Sequence, residues 1–426
     1  NTDTVDLWNA LEESSGKPVA EFMGAWTSQS GYPIVKANIS QDNPSLQQER
    51  FYLNPSAKKE STTWPIPLLA AEDIGFDTLS KAKQTINISQ LSSEFILNRN
   101  RTSFYRAVYD VEHLEKLGKL VESKKLDELD RLGLLGDSFE SAKAGYSSTV
   151  DSLKLLQSYK DEDSAVVWDI INAGIGSIRL VMDTDETREV LKPYVRELTE
   201  TQFKRLGWEE REEDSHFDLL LRPTILGLSS YGENPEVVDE ALKRFKNMTK
   251  PEDVHPDLRG VVYGTAARTG GKAEFDKMVK MHDASKNSEE RVTLAASLTG
   301  FEQPELIDRA LAMITADKVR LQDAPYWIAY SFMNRHARKT AWKWLADNWD
   351  WMQKNLGTDL SFSRMPLYAG RVYSDESFLP VFKKFFASRT SIAFERPVNQ
   401  AIETIQWQAA WKKRDLEAIT EFLKKP

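Results

Sequence analysis

The sequence predicts a mainly α protein, an irregular α-helical superhelix of HEAT- or armadillo-like helix pairs preceded by a small β-sandwich. Two changes of periodicity carry that expectation. From Val111 to Pro426 apolar residues recur at helical spacing, in runs broken by turns such as Gly270-Gly271, Gly300 with Pro304, and Gly357. From Gly31 to about Asp110 the period falls to two, as in Val35, Ala37 and Ile39.

The opening residues 4–28 read as two helices. Val5, Trp8 and Leu11 share a helical face, Gly16 stops the first helix, and Pro18 suits the first turn of the second. That stretch is too short for a domain and begins inside a helical pattern, so it is expected to be the edge of a larger domain. The strand text follows, with Phe104, Arg106 and Val108 alternating against Tyr105, Ala107 and Tyr109. Between strands lie Asn54-Pro55-Ser56 and Trp64-Pro65-Ile66-Pro67, where proline implies an edge or a bend because it cannot donate to a ladder. More than a dozen helices succeed one another after that, and stacked helix pairs bury such a run while generating a concave face.

Bulk properties exclude several functions. With 426 residues, 41% hydrophobic and 28% charged, the chain is long enough for two or three domains and ordinary for a globular protein. A net charge of −9 without a long basic block argues against nucleic acid as partner. No apolar run reaches the roughly 20 residues that cross a bilayer, so no membrane partner is expected. The absence of cysteine rules out disulfides and thiolate metal sites and favours a cytoplasmic location. Four sequons, at Asn38, Asn87, Asn100 and Asn247, pull weakly toward secretion.

No catalytic constellation is legible. None of His113, His216, His255, His282 and His336 belongs to a His-Glu-x-x-His motif. His113, flanked by glutamates, reads as part of a solvated helix face, and His336 as the opening of a helix. Gly264 to Lys272 echoes a phosphate loop but sits in a helical pattern, so a helix end and turn are expected. The acids from Glu209 to Asp214 read as a charged loop beside Arg211, and Trp342, Trp344, Trp349 and Trp351 as core.

Several stretches resemble one family. Asp6-Leu7-Trp8, Ser15-Gly16 and Trp26-Thr27-Ser28-Gln29-Ser30-Gly31-Tyr32-Pro33 are similar to the domain junction of aminopeptidase N and endoplasmic reticulum aminopeptidase-type zinc metallopeptidases. Phe104-Tyr105-Arg106 with Tyr109-Asp110 resembles the last strand of that family's sandwich, and Asp130-Arg131 through Phe139 the first helices of its C-terminal domain. Ala341-Trp342, Asn348-Trp349-Asp350 and Gln400 to Trp411 continue the likeness. The resemblance implies that residues 1–31 end a catalytic domain, 32–110 form a β-sandwich domain, and 111–426 form the helical domain that caps the active site. The family's zinc ligands, catalytic tyrosine and Gly-x-Met-Glu-Asn strand would lie upstream, leaving no cofactor or metal site in this chain and zinc in the parent enzyme.

On that reading the chain is the non-catalytic C-terminal region of a zinc aminopeptidase. Its partners are the N-terminal and catalytic domains and a peptide substrate, which it encloses or regulates. Candidate substrate-channel residues are Arg364 and Arg371, flanking an apolar stretch, with Arg396, Gln400 and Glu403 on one helix face. The alternative is a free-standing helical-repeat scaffold for a protein partner. The enzyme reading predicts that the purified chain neither retains stoichiometric zinc nor hydrolyses aminoacyl anilides. Metal analysis finding one tightly held zinc per chain would refute it.

Overall fold

The computed structural model describes residues 2–40, 43–57, 60–70, 74–86, 94–389 and 391–425; the sequon at Asn87 lies outside them. Among these residues the chain is mainly α-helical, and no helix is long and apolar enough to cross a membrane. It divides into two compact units, Asn1–Gly174 and Ile175–Pro426.

In the first unit, α1 (Thr4–Ser15) is capped by Asp3, whose carboxylate accepts from the amides of Val5 and Asp6, and it ends at Gly16 with φ of 65°. Helix α2 (Val19–Thr27) follows. Neither helix buries a residue fully, and Val5, Leu7 and Leu11 stay exposed. The strands are β1 (Pro33–Asn38), β2 (Ser45–Arg50), β3 (Ile66–Pro67), β4 (Thr78–Leu79), β5 (Lys83–Thr85) and β6 (Arg106–Tyr109). They form a four-stranded sheet in the order β5-β2-β1-β6 and a β3-β4 pair. Strand β1 runs antiparallel to β2 and parallel to β6. Gln48 ties the two sheets: its amide donates to the carbonyls of Trp64 and Leu79, both at 2.9 Å, and accepts from the Trp64 amide at 2.8 Å. Buried Ile34, Val35, Leu46, Trp64 and Ile66 supply the apolar core around it.

The text changes from strand to helix at Asp110. Its carboxylate accepts from the amides of Ile39 (2.6 Å), Ser40 (3.0 Å) and His113 (3.0 Å), so one side chain ends a strand connection and caps α3 (Val111–Glu122). Helices α4 (Glu128–Ala144), α5 (Thr149–Gln157) and α6 (Ala165–Val181) follow. Asp137 on α4 is buried and accepts from Arg101 (2.8 Å), Arg106 (3.1 Å) and the Ala107 amide (3.0 Å), locking α4 to β6. Burial pushes its carboxyl up despite the two guanidiniums. His113 departs from the expectation of a solvated face. It is 1% exposed, packs against Phe95 and Tyr109, and sets its Nε2 2.7 Å from the Phe95 carbonyl. The flanking glutamates point its helix neighbours outward while the imidazole itself turns inward, and burial lowers its pKa.

The second unit holds the end of α6 and then α7 (Asp185–Leu206), α8 (His216–Tyr231), α9 (Pro235–Asn247), α10 (Pro256–Thr269), α11 (Lys272–Ala284), α12 (Ser288–Leu298), α13 (Pro304–Thr315), α14 (Ala324–Met333), α15 (Arg338–Asp347), α16 (Trp349–Leu356), α17 (Met365–Gly370), α18 (Leu379–Ala387) and α19 (Ile392–Leu423). Six of these helices carry proline in their first two positions, where no intrahelical donor is needed. Helices α7, α8, α10, α12, α14, α17 and α19 pack each on the next, and α19 packs back on α7. The row therefore closes within this unit. Helices α9, α11 and α13 pack behind it. Gly370 permits the last step, since a Cβ there would lie 2.6 Å from that of Ala401 on α19. Gly270 and Gly271 end α10 and open α11, and Trp342 and Trp349 pack on Phe385 and Phe386.

Replacing Asp110 by Ala should cost about 2 kcal/mol, the sum of a lost helix cap and amides left unpaired. Burial pushes the Asp110 carboxyl up, but the amides of Ser40, His113 and Ile39 outweigh it and hold the pKa below the usual range. Its contribution is therefore complete above the unfolded value of about 3.9 and fades as pH falls through the lower folded value. Urea melts of both proteins at pH 7 and pH 3 check this: the gap should narrow at pH 3.

Candidate functional site

Helices of the closed row end near one another, and the carbonyls of a last turn have no intrahelical partner. Arginines collect there. The guanidinium of Arg188, at the start of α7, donates to the carbonyls of Met182 and Arg179, each at 2.5 Å, beyond and within the last turn of α6. Arg268, near the end of α10, donates to the Ser230 carbonyl (2.7 Å) and hydroxyl (2.8 Å) in the last turn of α8. Arg179 lies over the Tyr231 ring, 4.0 Å from its centroid. Arg335 and Arg338, in the turn from α14 into α15, and Lys412 of α19 complete the group.

Carboxylates neutralise only part of this charge. Asp183 receives Lys412 at 2.8 Å and Arg338 at 3.5 Å, and Asp185 pairs with Arg335. Among the described residues no salt bridge reaches Arg179, Arg188 or Arg268. Nε of Arg179 and Nε of Arg338 are buried without a hydrogen-bond partner. Burial lowers the pKa of Arg179, Arg268 and Arg338. It brings Arg188 down to about 10, with the charge of Arg179 adding to the effect. Burial and the neighbouring Arg335 likewise lower His336. Like charges gathered where water is scarce, with donors unspent, make a receptor for an anion.

Glycines on two helices of the row stand beside open space. A Cβ added at Gly227 of α8 or at Gly260 or Gly264 of α10 would meet nothing within 4 Å. Among the described residues no three His, Asp or Glu side chains converge as a metal-binding group.

All five residues singled out from the sequence are exposed. Arg364 and Arg371 flank α17 on either side of Tyr368 and both act electrostatically on its hydroxyl. Arg396, Gln400 and Glu403 form one stripe of α19, and the Gly370–Ala401 approach holds α17 against that helix. The structure thus places the two groups on packed neighbours, with no ion pair to any of the five among the described residues. The arginine cluster itself was missed. Its members are spread from Arg179 to Lys412, and only the Asn334-Arg335-His336 turn drew notice, for its histidine.

The family model that fits this architecture is the ERAP1-like C-terminal domain, which matches residues 95–406. The chain belongs to that family. Aminopeptidase 2 of Candida albicans is 29% identical over 99% of this chain and 47% of its own length. Aminopeptidase 2, mitochondrial, of Saccharomyces cerevisiae is 28% identical over 100% of this chain and 45% of its own, and Aminopeptidase M1-D of Oryza sativa subsp. japonica 29% over 96% and 49%. The chain spans about half the length of the curated relatives it matches. These likenesses bear out the resemblance carried by the opening motifs.

An anion receptor should be stabilised by its ligand. Sulfate at ten times its dissociation constant stabilises by about 1.4 kcal/mol, roughly 3–6 °C in Tm for a unit of this size. The Arg268→Gln, Arg335→Gln double variant should show only the smaller non-specific salt effect in the same thermal melts.

Proposed function

We propose that this chain is the C-terminal half of a zinc aminopeptidase and that it serves the enzyme by holding the peptide substrate. The peptide's C-terminal carboxylate docks in the arginine cluster while a catalytic domain outside this chain removes the N-terminal residue. The supporting observation is that Arg179, Arg188 and Arg268 lie together and, among the described residues, make no salt bridge to a carboxylate, although Glu233 and Glu302 act on Arg268 from a distance. Guanidinium donors suit a carboxylate in a way that an ammonium does not, because the planar fork matches both oxygens.

The peptide body would run along the open face of the row. Glycines on α8 and α10 leave room for main chain, and Arg364, Arg371, Arg396, Gln400 and Glu403 offer polar contacts beyond them. Such a half would cap the active site, exclude folded proteins and favour substrates long enough to span from cluster to catalytic centre. Zinc belongs, on this reading, to the catalytic domain outside this chain.

Kinetics of the full-length enzyme test the proposal. Arg335→Gln should raise KM for peptides with a free C-terminus about 5- to 10-fold, the loss of a partly exposed charge-assisted contact, and leave kcat intact. Peptides ending in an amide, and aminoacyl anilides too short to reach the cluster, should be unaffected. Equal effects on all three substrates would assign Arg335 a structural part and overturn the carboxylate reading.

A further inference from the structure

The neighbouring helices α14 and α17 carry a second feature that sequence reading saw only in part. Trp327, Ile328, Ser331 and Phe332 bury one side of α14, which leaves Tyr326 and Tyr330 on the other with ring centroids 6.3 Å apart. Tyr326 is 49% exposed. Helix α14 packs on α17, where Arg364, Tyr368 and Arg371 follow at intervals of four and three residues and so share one face. Burial raises the Tyr368 hydroxyl, Arg364 and Arg371 pull it back, and Tyr326 opposes them, so all three lie within electrostatic reach of Tyr368. The nearby acid, Asp359, already accepts from the Ser361 amide at 2.7 Å.

The segment that follows α17 ties it to the helices that carry Arg338 and Lys412. Tyr373, two residues beyond Arg371, donates to the Arg338 carbonyl at 3.1 Å, and the Arg371 carbonyl accepts from Gln408 of α19 at 3.1 Å. Two arginines without carboxylate partners, set on either side of phenol hydroxyls, form a surface that neutral side chains do not match. Among the described residues neither arginine has a salt-bridge partner, although Asp359 acts on Tyr368 and the chain as a whole carries a net charge of −9.

We propose that Tyr326, Tyr330 and Tyr368 with Arg364 and Arg371 form a subsite for acidic side chains in the body of a bound peptide. This rests on the peptide-holding function proposed above. The tyrosines give the peptide stacking surface and hydroxyl donors, and the arginines supply the charge. Seven steps at the helical rise separate the two arginines by roughly 10 Å, about one three-residue turn of a peptide in the polyproline-II conformation, which returns its side chains to the same face. The best ligand therefore carries two acidic residues about three positions apart.

Fluorescence anisotropy with the 426-residue chain tests this without requiring catalysis. Three labelled peptides suffice: one with two internal Glu three positions apart, the same with Gln, and the Glu peptide with an amidated C-terminus. The Glu peptide should bind about 3- to 10-fold more tightly than the Gln peptide, as expected for exposed charge pairs, and the preference should shrink as salt rises from 50 to 300 mM. In the Arg364→Gln, Arg371→Gln double variant the two peptides should bind alike, at the affinity the Gln peptide has for the unaltered chain. Both positions are exposed, and coincident melting curves will show that folding is intact. Binding without a Glu preference, or a preference that survives the double variant, overturns the subsite alone. Amidation should weaken binding by the same factor in both proteins. Failure of all three peptides to bind overturns the peptide-holding function and the subsite with it.

Discussion

Arginines in this protein are held by carbonyl oxygens more than by carboxylates, and the candidate site depends on that. Arg188 caps the end of α6 and Arg268 the end of α8. A carbonyl satisfies the guanidinium's hydrogen bonds and contributes the negative end of a helix dipole, yet it cancels no formal charge. Several cations can therefore be fixed close together without neutralising one another. Had each been matched by an aspartate, the cluster would be a set of closed ion pairs with no field left for a ligand.

That arrangement needs helix ends from distant parts of the sequence to meet, and the closure of the helix row supplies it. Gly370 lets α17 and α19 approach closely enough for α19 to reach α7, and Lys412 then lies on Asp183. The same closure turns one side of each helix toward open space, where glycines stand on α8 and α10. The first unit solves a different problem. Gln48 and Asp137 are buried polar groups with partners on both sides, the first joining the pair of sheets and the second fixing β6 to α4.

Legibility in the sequence followed locality. The two opening helices, the stop at Gly16, the strand at Arg106–Tyr109 and the helical run after Val111 all depend on residues a few positions apart, and periodicity displays them. The tryptophans of α15 and α16 were readable as core for the same reason. His113 was misread because its neighbours' charge says nothing of the direction in which the imidazole points. The arginine cluster left no signal, since residues as far apart as Arg179 and Arg335 become neighbours only when the row is assembled. Arg364 and Arg371 were noticed by their local pattern, whereas Tyr326 reaches Tyr368 across a helix boundary no spacing rule describes.

Asp183 and Lys412 lie 229 residues apart in the chain. At synthesis rates of about 5–20 residues per second, on the order of ten to fifty seconds pass between the appearance of the first and of the second. Throughout that interval α7 has no α19 to pack against, and the helix row has an open end. The Asp183–Lys412 pair thus forms only once α19 has been made.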